Sequence, residues 1–202
     1  MNLKQLAEHL GLSQTTVSRA LNGYPEVGAE TRRRVDEAAR KLGYRPNPYA
    51  MRLATGQAKA IGHVLPSDRA LLIDPHFSDF IAGAGDVYSA AGFDVLLHVG
   101  GPEAEEAVYR RYAQTGAVDA VVIMGPRIID WRIDFLKSLE LPFITHGRAG
   151  AEETGYAWMD IDNRGAFHAA GRHLTSLGHR RIGLINGMET MTFAWHRRQG
   201  YE

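Results

Sequence analysis

The chain changes its pattern at about residue 60, and the part beyond that point places the strongest constraint on its fold. Short apolar runs of the kind found in buried strands occupy residues 61–65, 93–99, 118–124, 143–144 and 182–185. Segments with helical spacing lie between them, at residues 77–91, 103–115, 134–139 and 164–177. Strands that alternate with helices predict a parallel, doubly wound α/β sheet, because each parallel pair needs a crossover connection.

The first 43 residues instead have the pattern of three short helices. An apolar stripe with i, i+3, i+4, i+7 spacing marks the first helix, along Leu3, Leu6, Ala7 and Leu10. Gly11 ends that helix, Ser13 is placed to cap a second helix over residues 14–21, and Gly43 ends the third. So few large apolar side chains make a small core, so we expect an all-α head of marginal stability.

Two prolines separate the head from the α/β region. Pro46 and Pro48 keep the residues before them out of the helical conformation, and Pro48 can also begin a short helix that ends at Gly56. The sequence therefore divides into a helical head at residues 1–47, a linking segment at 48–58 and an α/β domain at 59–202.

The net charge is zero, but it is unevenly distributed. Residues 1–59 contain ten Lys and Arg against five Asp and Glu, whereas the rest contains 13 basic and 18 acidic residues. A basic segment ahead of an acidic body is typical of a polyanion-binding head joined to a separate domain.

Several classes of protein are disfavoured. No run approaches the roughly 20 apolar residues of a membrane helix, and the start mixes charged with apolar residues, unlike a secretory signal. The lack of cysteine fits a cytoplasmic protein. The nine histidines form no helical i, i+4 pair, and the phosphate-loop, dinucleotide and nucleophile-elbow motifs are absent. We expect no enzyme activity, no cofactor and no metal.

The first two helices have the spacing of a helix-turn-helix. The second carries an apolar side, formed by Val17, Ala20 and Leu21, and a polar side. A helix of this kind can lie in the major groove, where Arg reads guanine, Gln reads adenine and Thr contacts the thymine methyl group.

Three motifs follow one another in this region: Ser13-Gln14-Thr15-Thr16-Val17-Ser18-Arg19-Ala20-Leu21-Asn22, Val27-Gly28-Ala29-Glu30-Thr31-Arg32 and Leu42-Gly43-Tyr44-Arg45-Pro46-Asn47-Pro48. In order and spacing they resemble the motifs of the LacI/GalR family of bacterial regulators. The resemblance continues through Ala50-Met51-Arg52-Leu53 to Ile61-Gly62, and more diffusely to Leu177-Gly178-His179-Arg180-Arg181-Ile182 and Arg197-Arg198-Gln199-Gly200-Tyr201. It implies a helix-turn-helix head followed by a periplasmic-binding-protein-like sensor domain.

The resemblance also implies roles in DNA binding. Base readout falls to Gln14, Thr15 and Arg19, and backbone contacts fall to Asn22, Thr31 and Arg32, although Arg32 is equally suited to a solvated face. Gly28 departs from the hydroxyl residue common at its position. Residues 48–55 match the family's hinge helix, in which Ala50 and Leu53 enter the minor groove at the operator centre.

Ligand contacts are expected at the carboxyl ends of the strands. Those ends point to Met124, His146 and Arg148, and the resemblance adds Asp74, Phe77, Asp160 and Arg197. Such groups suit a mono- or disaccharide, because charged groups bind hydroxyls and an aromatic face covers the ring. His146 could equally be an interior histidine, and Asp162 is better suited to a helix N-cap than to ligand binding.

These observations predict a cytoplasmic, nucleoid-associated regulator that binds a palindromic operator as a homodimer, a repressor of sugar-utilisation genes. One alternative is a DNA-modifying enzyme; the other is a sugar-binding module whose head mediates protein interaction. The family's sensor has two lobes, and residue 202 falls early in the second, so we expect this chain to be part of a longer protein.

Overall fold

The computed structural model describes residues 1–44, 56–66, 75–150 and 155–202. The chain separates into two units, Met1–Gly56 (the head) and Gln57–Glu202 (the sheet unit). Three residues predicted to be functional, Ala50, Leu53 and Asp74, lie outside the described residues.

The head contains the three predicted helices: α1 (Leu3–Leu10), α2 (Gln14–Leu21) and α3 (Ala29–Lys41). Gly11 ends α1 with a left-handed φ of 66°, which allows the tight turn into α2. Ser13 caps α2 as predicted, since its hydroxyl accepts a hydrogen bond from the Thr16 N–H at 3.0 Å. The core consists only of apolar side chains: Leu6, Ala7, Val17, Ala20, Val27, Val35 and Ala39.

The sheet unit contains the predicted parallel sheet, with strand order β2-β1-β3-β4-β5 and parallel pairing throughout. Its strands are β1 (Ala60–Pro66), β2 (Asp94–Gly100), β3 (Ala120–Met124), β4 (Phe143–His146) and β5 (Ala157–Met159). Its helices are α4 (Pro75–Ala90), α5 (Pro102–Thr115), α6 (Trp131–Ser138), α7 (Asn163–Ser176) and α8 (Thr192–Tyr201). The helix-turn-helix and α/β architecture predicted from the sequence is confirmed.

Two details of the sheet differ from the sequence prediction. The apolar run at residues 182–185 is not a buried strand: it joins no sheet, and Ile185 is 99% exposed. Apolar composition gives a segment strand character but does not supply a neighbouring strand for its N–H and C=O groups. Conversely, β5 was not predicted, because three residues are too few to show a pattern.

The interior strand β1 is packed on both faces. A Cβ atom on Gly62 would lie 3.0 Å from side-chain atoms of Tyr112 and Val121, so glycine is what allows α5 to pack this closely. The next side chain, His63, points to the opposite face, where its ring lies 6.1 Å from Phe80 of α4. None of the helices that the structure describes has the length and apolarity needed to cross a membrane.

Candidate nucleic-acid interface and ligand cleft

The orientation of α2 follows from which of its residues are buried. Val17 and Ala20 are at most 2% exposed in the head core, so the opposite side of the helix faces outward. Gln14, Thr15 and Arg19 lie on that outward side and are all exposed. The three residues predicted to read bases therefore share one accessible face.

A shallow concavity of about 360 Å³ runs along this face, lined by Leu3, Gln14, Thr15, Ser18, Arg19, Asn22 and Tyr24. The turn after α2 brings Tyr24 to it, because the Tyr24 N–H donates to the Arg19 carbonyl at 3.0 Å. The Asn22 amide is held as well, donating to the Ser18 carbonyl at 2.9 Å. Sequence reasoning missed Leu3, Ser18 and Tyr24, although the i, i+4 spacing of Ser18 from Gln14 was a usable signal.

The other predicted backbone contacts lie on α3. Arg32 donates from one terminal nitrogen to the carbonyl oxygens of Tyr24 and Val27, at 2.9 and 3.2 Å. Its guanidinium therefore fastens the loop between α2 and α3. Thr31 is half-buried, and the neighbouring Arg33 is exposed and forms ion pairs with Glu30 and Glu37.

The sheet unit gathers several predicted ligand residues at the carboxyl edge of its strands. Met124 and His146 are register partners at the ends of β3 and β4. The Arg148 Nε atom donates to an Asp160 carboxylate oxygen at 3.0 Å. The His146 ring stacks on Phe80 with centroids 4.8 Å apart. Burial lowers the pKa of His146, the nearby His76 lowers it further, and Asp160 opposes the shift.

A cleft of about 400 Å³ lies beside this group, lined by Arg148, Asp162, Arg164, Trp195, His196 and Gln199. His196 is 7% exposed, and its Nε2 atom has no hydrogen-bond partner among the described residues. Burial lowers its pKa, as does the charge of Arg148. Asp162 also caps α7, accepting from the Gly165 N–H at 2.8 Å, as predicted. Sequence reasoning missed the three α8 residues of this cleft, because nothing local places α8 beside Arg148.

Two further predicted ligand residues, Phe77 and Arg197, do not line this cleft. The Arg197 Nε atom donates to the Asn163 side chain at 2.9 Å, and its guanidinium lies 4.8 Å from the centre of the Phe193 ring. Phe77 is 6% exposed. The structure thus brings Arg148 and Asp160 together, and it holds Arg197 against α7.

A buried ionic network fixes the loop after β3. Arg132, whose side chain is 12% exposed, binds Asp130 at 2.6 Å and Glu105 at 3.5 Å, and it donates to the Met124 carbonyl. Burial alone would raise the pKa of Asp130, but the hydrogen bonds and charge of Arg132 hold it below its usual value. Burial likewise opposes ionisation of Arg132, and Asp130 outweighs that effect, so the pKa of Arg132 is raised.

Profiles of known families match nearly the whole chain. Residues 2–47 match "Bacterial regulatory proteins, lacI family", and residues 58–202 match "Periplasmic binding proteins and sugar binding domain of LacI family". The regulator AglR of Rhizobium meliloti (strain 1021) is 54% identical over 99% of this chain and 56% of its own. The regulator RafR of Escherichia coli is 36% identical over 100% of this chain and 60% of its own.

Solved structures give the same picture. The lac repressor dimer bound to operator and the anti-inducer ONPF aligns over the whole chain, with 26% identity and a TM-score of 0.78. The regulator CelR in complex with cellobiose aligns over the whole chain, with 30% identity and a TM-score of 0.64. This chain covers 60% of each. It therefore spans a little over half the length of these relatives.

Proposed function

Because the chain belongs to the LacI family of bacterial transcriptional regulators, we propose that it binds a palindromic operator as a homodimer and represses sugar-utilisation genes until a small sugar binds. In this proposal the head reads the operator and the sheet unit senses the effector. The protein acts in the cytoplasm at the nucleoid, performs no catalysis and needs no cofactor.

The outward face of α2 is the observation that carries the DNA part of the proposal. Gln14, Thr15 and Arg19 project from a short helix whose other side is fixed in the head core. These side chains supply an amide, a hydroxyl with a methyl group, and a guanidinium, which are suited to base edges in the major groove. Asn22 and Thr31 would contact the DNA backbone, with Arg32 reinforcing the loop between them.

The hinge part of the proposal rests on the family resemblance alone. Ala50 and Leu53 lie outside the described residues. In the family's arrangement they would enter the minor groove at the operator centre and bend the duplex.

The cleft beside β5 supports a sugar as effector. It presents an Arg148–Asp160 ion pair, the indole of Trp195 and the imidazole of His196. Charged groups bind vicinal hydroxyls and an aromatic face covers a pyranose ring, so a mono- or disaccharide fits this chemistry. Met124 and His146, at the ends of β3 and β4, would line the same edge. Asp74, Phe77 and Arg197 remain ligand candidates on the family resemblance alone.

The DNA part is tested by comparing Arg19→Ala with Arg33→Ala in the full protein. Both changes remove one positive charge from the head, but Arg19 lines the α2 concavity whereas Arg33 is neutralised by two exposed glutamates on α3. We expect Arg19→Ala to lose about 1–3 kcal/mol on the operator and little on random duplex. Arg33→Ala should change both affinities slightly and equally.

The possible outcomes separate the competing functions. Equal losses on operator and random duplex for Arg19→Ala would make Arg19 a phosphate contact. Duplex binding that is weak and insensitive to salt would contradict the proposal and favour a head that binds protein. Mono- and disaccharides added in the same assay identify the effector as the sugar that changes operator affinity.

A further inference from the structure

One carboxylate holds the residues that lead into β1. Asp119, half-buried directly before β3, accepts two backbone hydrogen bonds from a segment about 60 residues earlier. The Ala58 N–H donates to its Oδ1 atom at 2.8 Å, and the Ala60 N–H donates to its Oδ2 atom at 3.1 Å. Both oxygens of this carboxylate are therefore occupied by the chain that enters the sheet unit.

The residue between those two N–H groups has an unusual backbone conformation. Lys59 has a φ of 55°, in the left-handed region that side-chain-bearing residues avoid. Its carbonyl accepts from the Asp94 N–H at 2.8 Å, and its ammonium lies 4.6 Å from the centre of the Phe93 ring. A conformation of this kind persists only where its surroundings impose it. Here the Asp119 carboxylate fixes the residue on either side.

The strand directly after Asp119 leads to the candidate ligand edge. β3 runs from Ala120 to Met124, and its residues Val121 and Ile123 are fully buried. Its last carbonyl, that of Met124, accepts from Arg132 in the buried ionic network. A single buried strand of about 16 Å therefore connects the Asp119 carboxylate with the loop beside the candidate ligand residues.

We infer that Asp119 is a positioning residue that fixes where the chain leaves the sheet unit and so couples sugar binding to operator binding. The inference rests on the proposed function, and it names Asp119 as a residue through which operator binding is regulated. Without the two hydrogen bonds, the backbone at Ala58 would no longer be held to the residue that begins β3, and the chain before Lys59 would gain freedom to move. A small rearrangement of the sheet would be absorbed by that freedom and would not reach the linking segment.

The test compares Asp119→Asn with Asp94→Asn in the full protein. Asp119→Asn keeps the shape but replaces one acceptor with an NH₂ group that cannot accept a hydrogen bond. Asp94 is the register partner of Ala60, is exposed, and makes no side-chain hydrogen bond among the described residues. The two variants therefore lose the same charge at neighbouring points of the sheet. Only Asp119→Asn also disrupts the pair of hydrogen bonds from Ala58 and Ala60 to the Asp119 carboxylate, which we call the clamp. Asp119→Glu, which displaces both acceptors by one methylene, is a second variant should Asp119→Asn fold poorly.

We expect Asp119→Asn to increase amide hydrogen exchange at Ala58 and Ala60 at least tenfold. The ratio of operator affinities without and with sugar should fall several-fold towards one, while sugar affinity stays within twofold of the wild type. Asp94→Asn should change none of these values. A purely structural role would instead lower the melting temperature and the sugar affinity together and leave the ratio unchanged.

Two results would overturn the inference, and they are distinguishable. A wild-type response to sugar that persists in Asp119→Asn, despite faster exchange at Ala58 and Ala60, would show that the clamp is only a local cap. A wild-type protein whose operator binding ignores every sugar would overturn the proposed function itself, and the coupling role of Asp119 with it.

Discussion

The head and the sheet unit bury different kinds of side chain. The core of the head is wholly apolar and consists of seven small or medium-sized residues, Leu6 and Val17 among them. Every buried polar or charged side chain among the described residues lies in the sheet unit: His63, Asp130, Thr145, Asn163, Thr192 and His196. The head therefore keeps its polar chemistry on the surface, whereas the sheet unit encloses part of its own.

This difference matches what each unit would contact in the proposed function. A head that reads DNA contacts a large, charged partner, so its polar side chains must project outward from an apolar core. A ligand-sensing unit has to surround a small molecule, so polar groups are positioned inside it and held by other polar groups. Substitutions at three sites test this difference between the units, and we expect progressively smaller effects on stability from the first site to the third.

The largest effect is expected at Arg132, because removing its side chain should strongly destabilise the sheet unit. Arg132→Ala leaves Asp130, which is 9% exposed, without its charge partner. We expect a loss of about 3–5 kcal/mol in the free energy of unfolding, because an uncompensated buried charge is strongly destabilising. Urea denaturation of the full protein measures this loss. It is monitored by tryptophan fluorescence, to which the three tryptophans of this chain, all in the sheet unit, contribute.

Arg110→Ala is the matched control for that experiment. Arg110 forms an ion pair with Glu106 at 2.8 Å, but both side chains are about half exposed. Such pairs contribute at most about 1 kcal/mol. Equal losses for the two variants would show that the Arg132 network is ordinary surface charge, and the contrast between the two units would then fail.

The same contrast explains how much the sequence could predict. The helices of the head and four of the five strands follow from apolar spacing, because that spacing decides which side of an element is buried. The clamp at Asp119 and the cleft residues Trp195 and His196 could not be predicted, because their partners lie tens of residues away. The prediction of a buried strand at residues 182–185 was wrong for the same reason. A strand needs a neighbouring strand to pair with, and the composition of the segment does not reveal whether one is present.

The second effect is a loss of stability in acid that arises from His63. This ring is fully buried, and neither of its nitrogens has a hydrogen-bond partner among the described residues. Burial lowers its pKa to about 4, below the value of about 6.5 expected in the unfolded chain. Between pH 6.5 and pH 4, His63 is therefore protonated in the unfolded state but stays neutral in the folded state. The free energy of unfolding falls by about 2–3 kcal/mol over this range as the pH is lowered.

His63→Leu should remove that part of the pH dependence. His146 and His196 have lowered pKa values as well and contribute to the wild-type slope, so the difference between wild type and variant isolates His63. Urea denaturation at pH 7, 6, 5 and 4 measures it. Parallel stability curves for the two proteins would contradict the assignment and would mean that the His63 ring finds a proton acceptor or water on protonation.

The smallest effect concerns the head, whose polar groups act at helix ends. Ser13 caps α2 through the Thr16 N–H, so Ser13→Ala should cost about 1 kcal/mol. Gly28 occupies the N-cap position before α3 and supplies no side-chain cap. Its φ of −57° and ψ of 147° are close to the −69° and 150° of the Ser13 cap, and a Cβ atom there meets nothing within 4 Å. Gly28→Ser should therefore stabilise the head by a few tenths of a kcal/mol.

Native-state hydrogen exchange at Val17 and Val35 measures both changes in the full protein, because those residues lie in the head core. Both substitutions should leave exchange at Val121 in the sheet unit unchanged, since the two cores are separate. Changes of equal size at Val121 would mean that the units unfold together, and a small apolar core would then no longer account for the stability of the head.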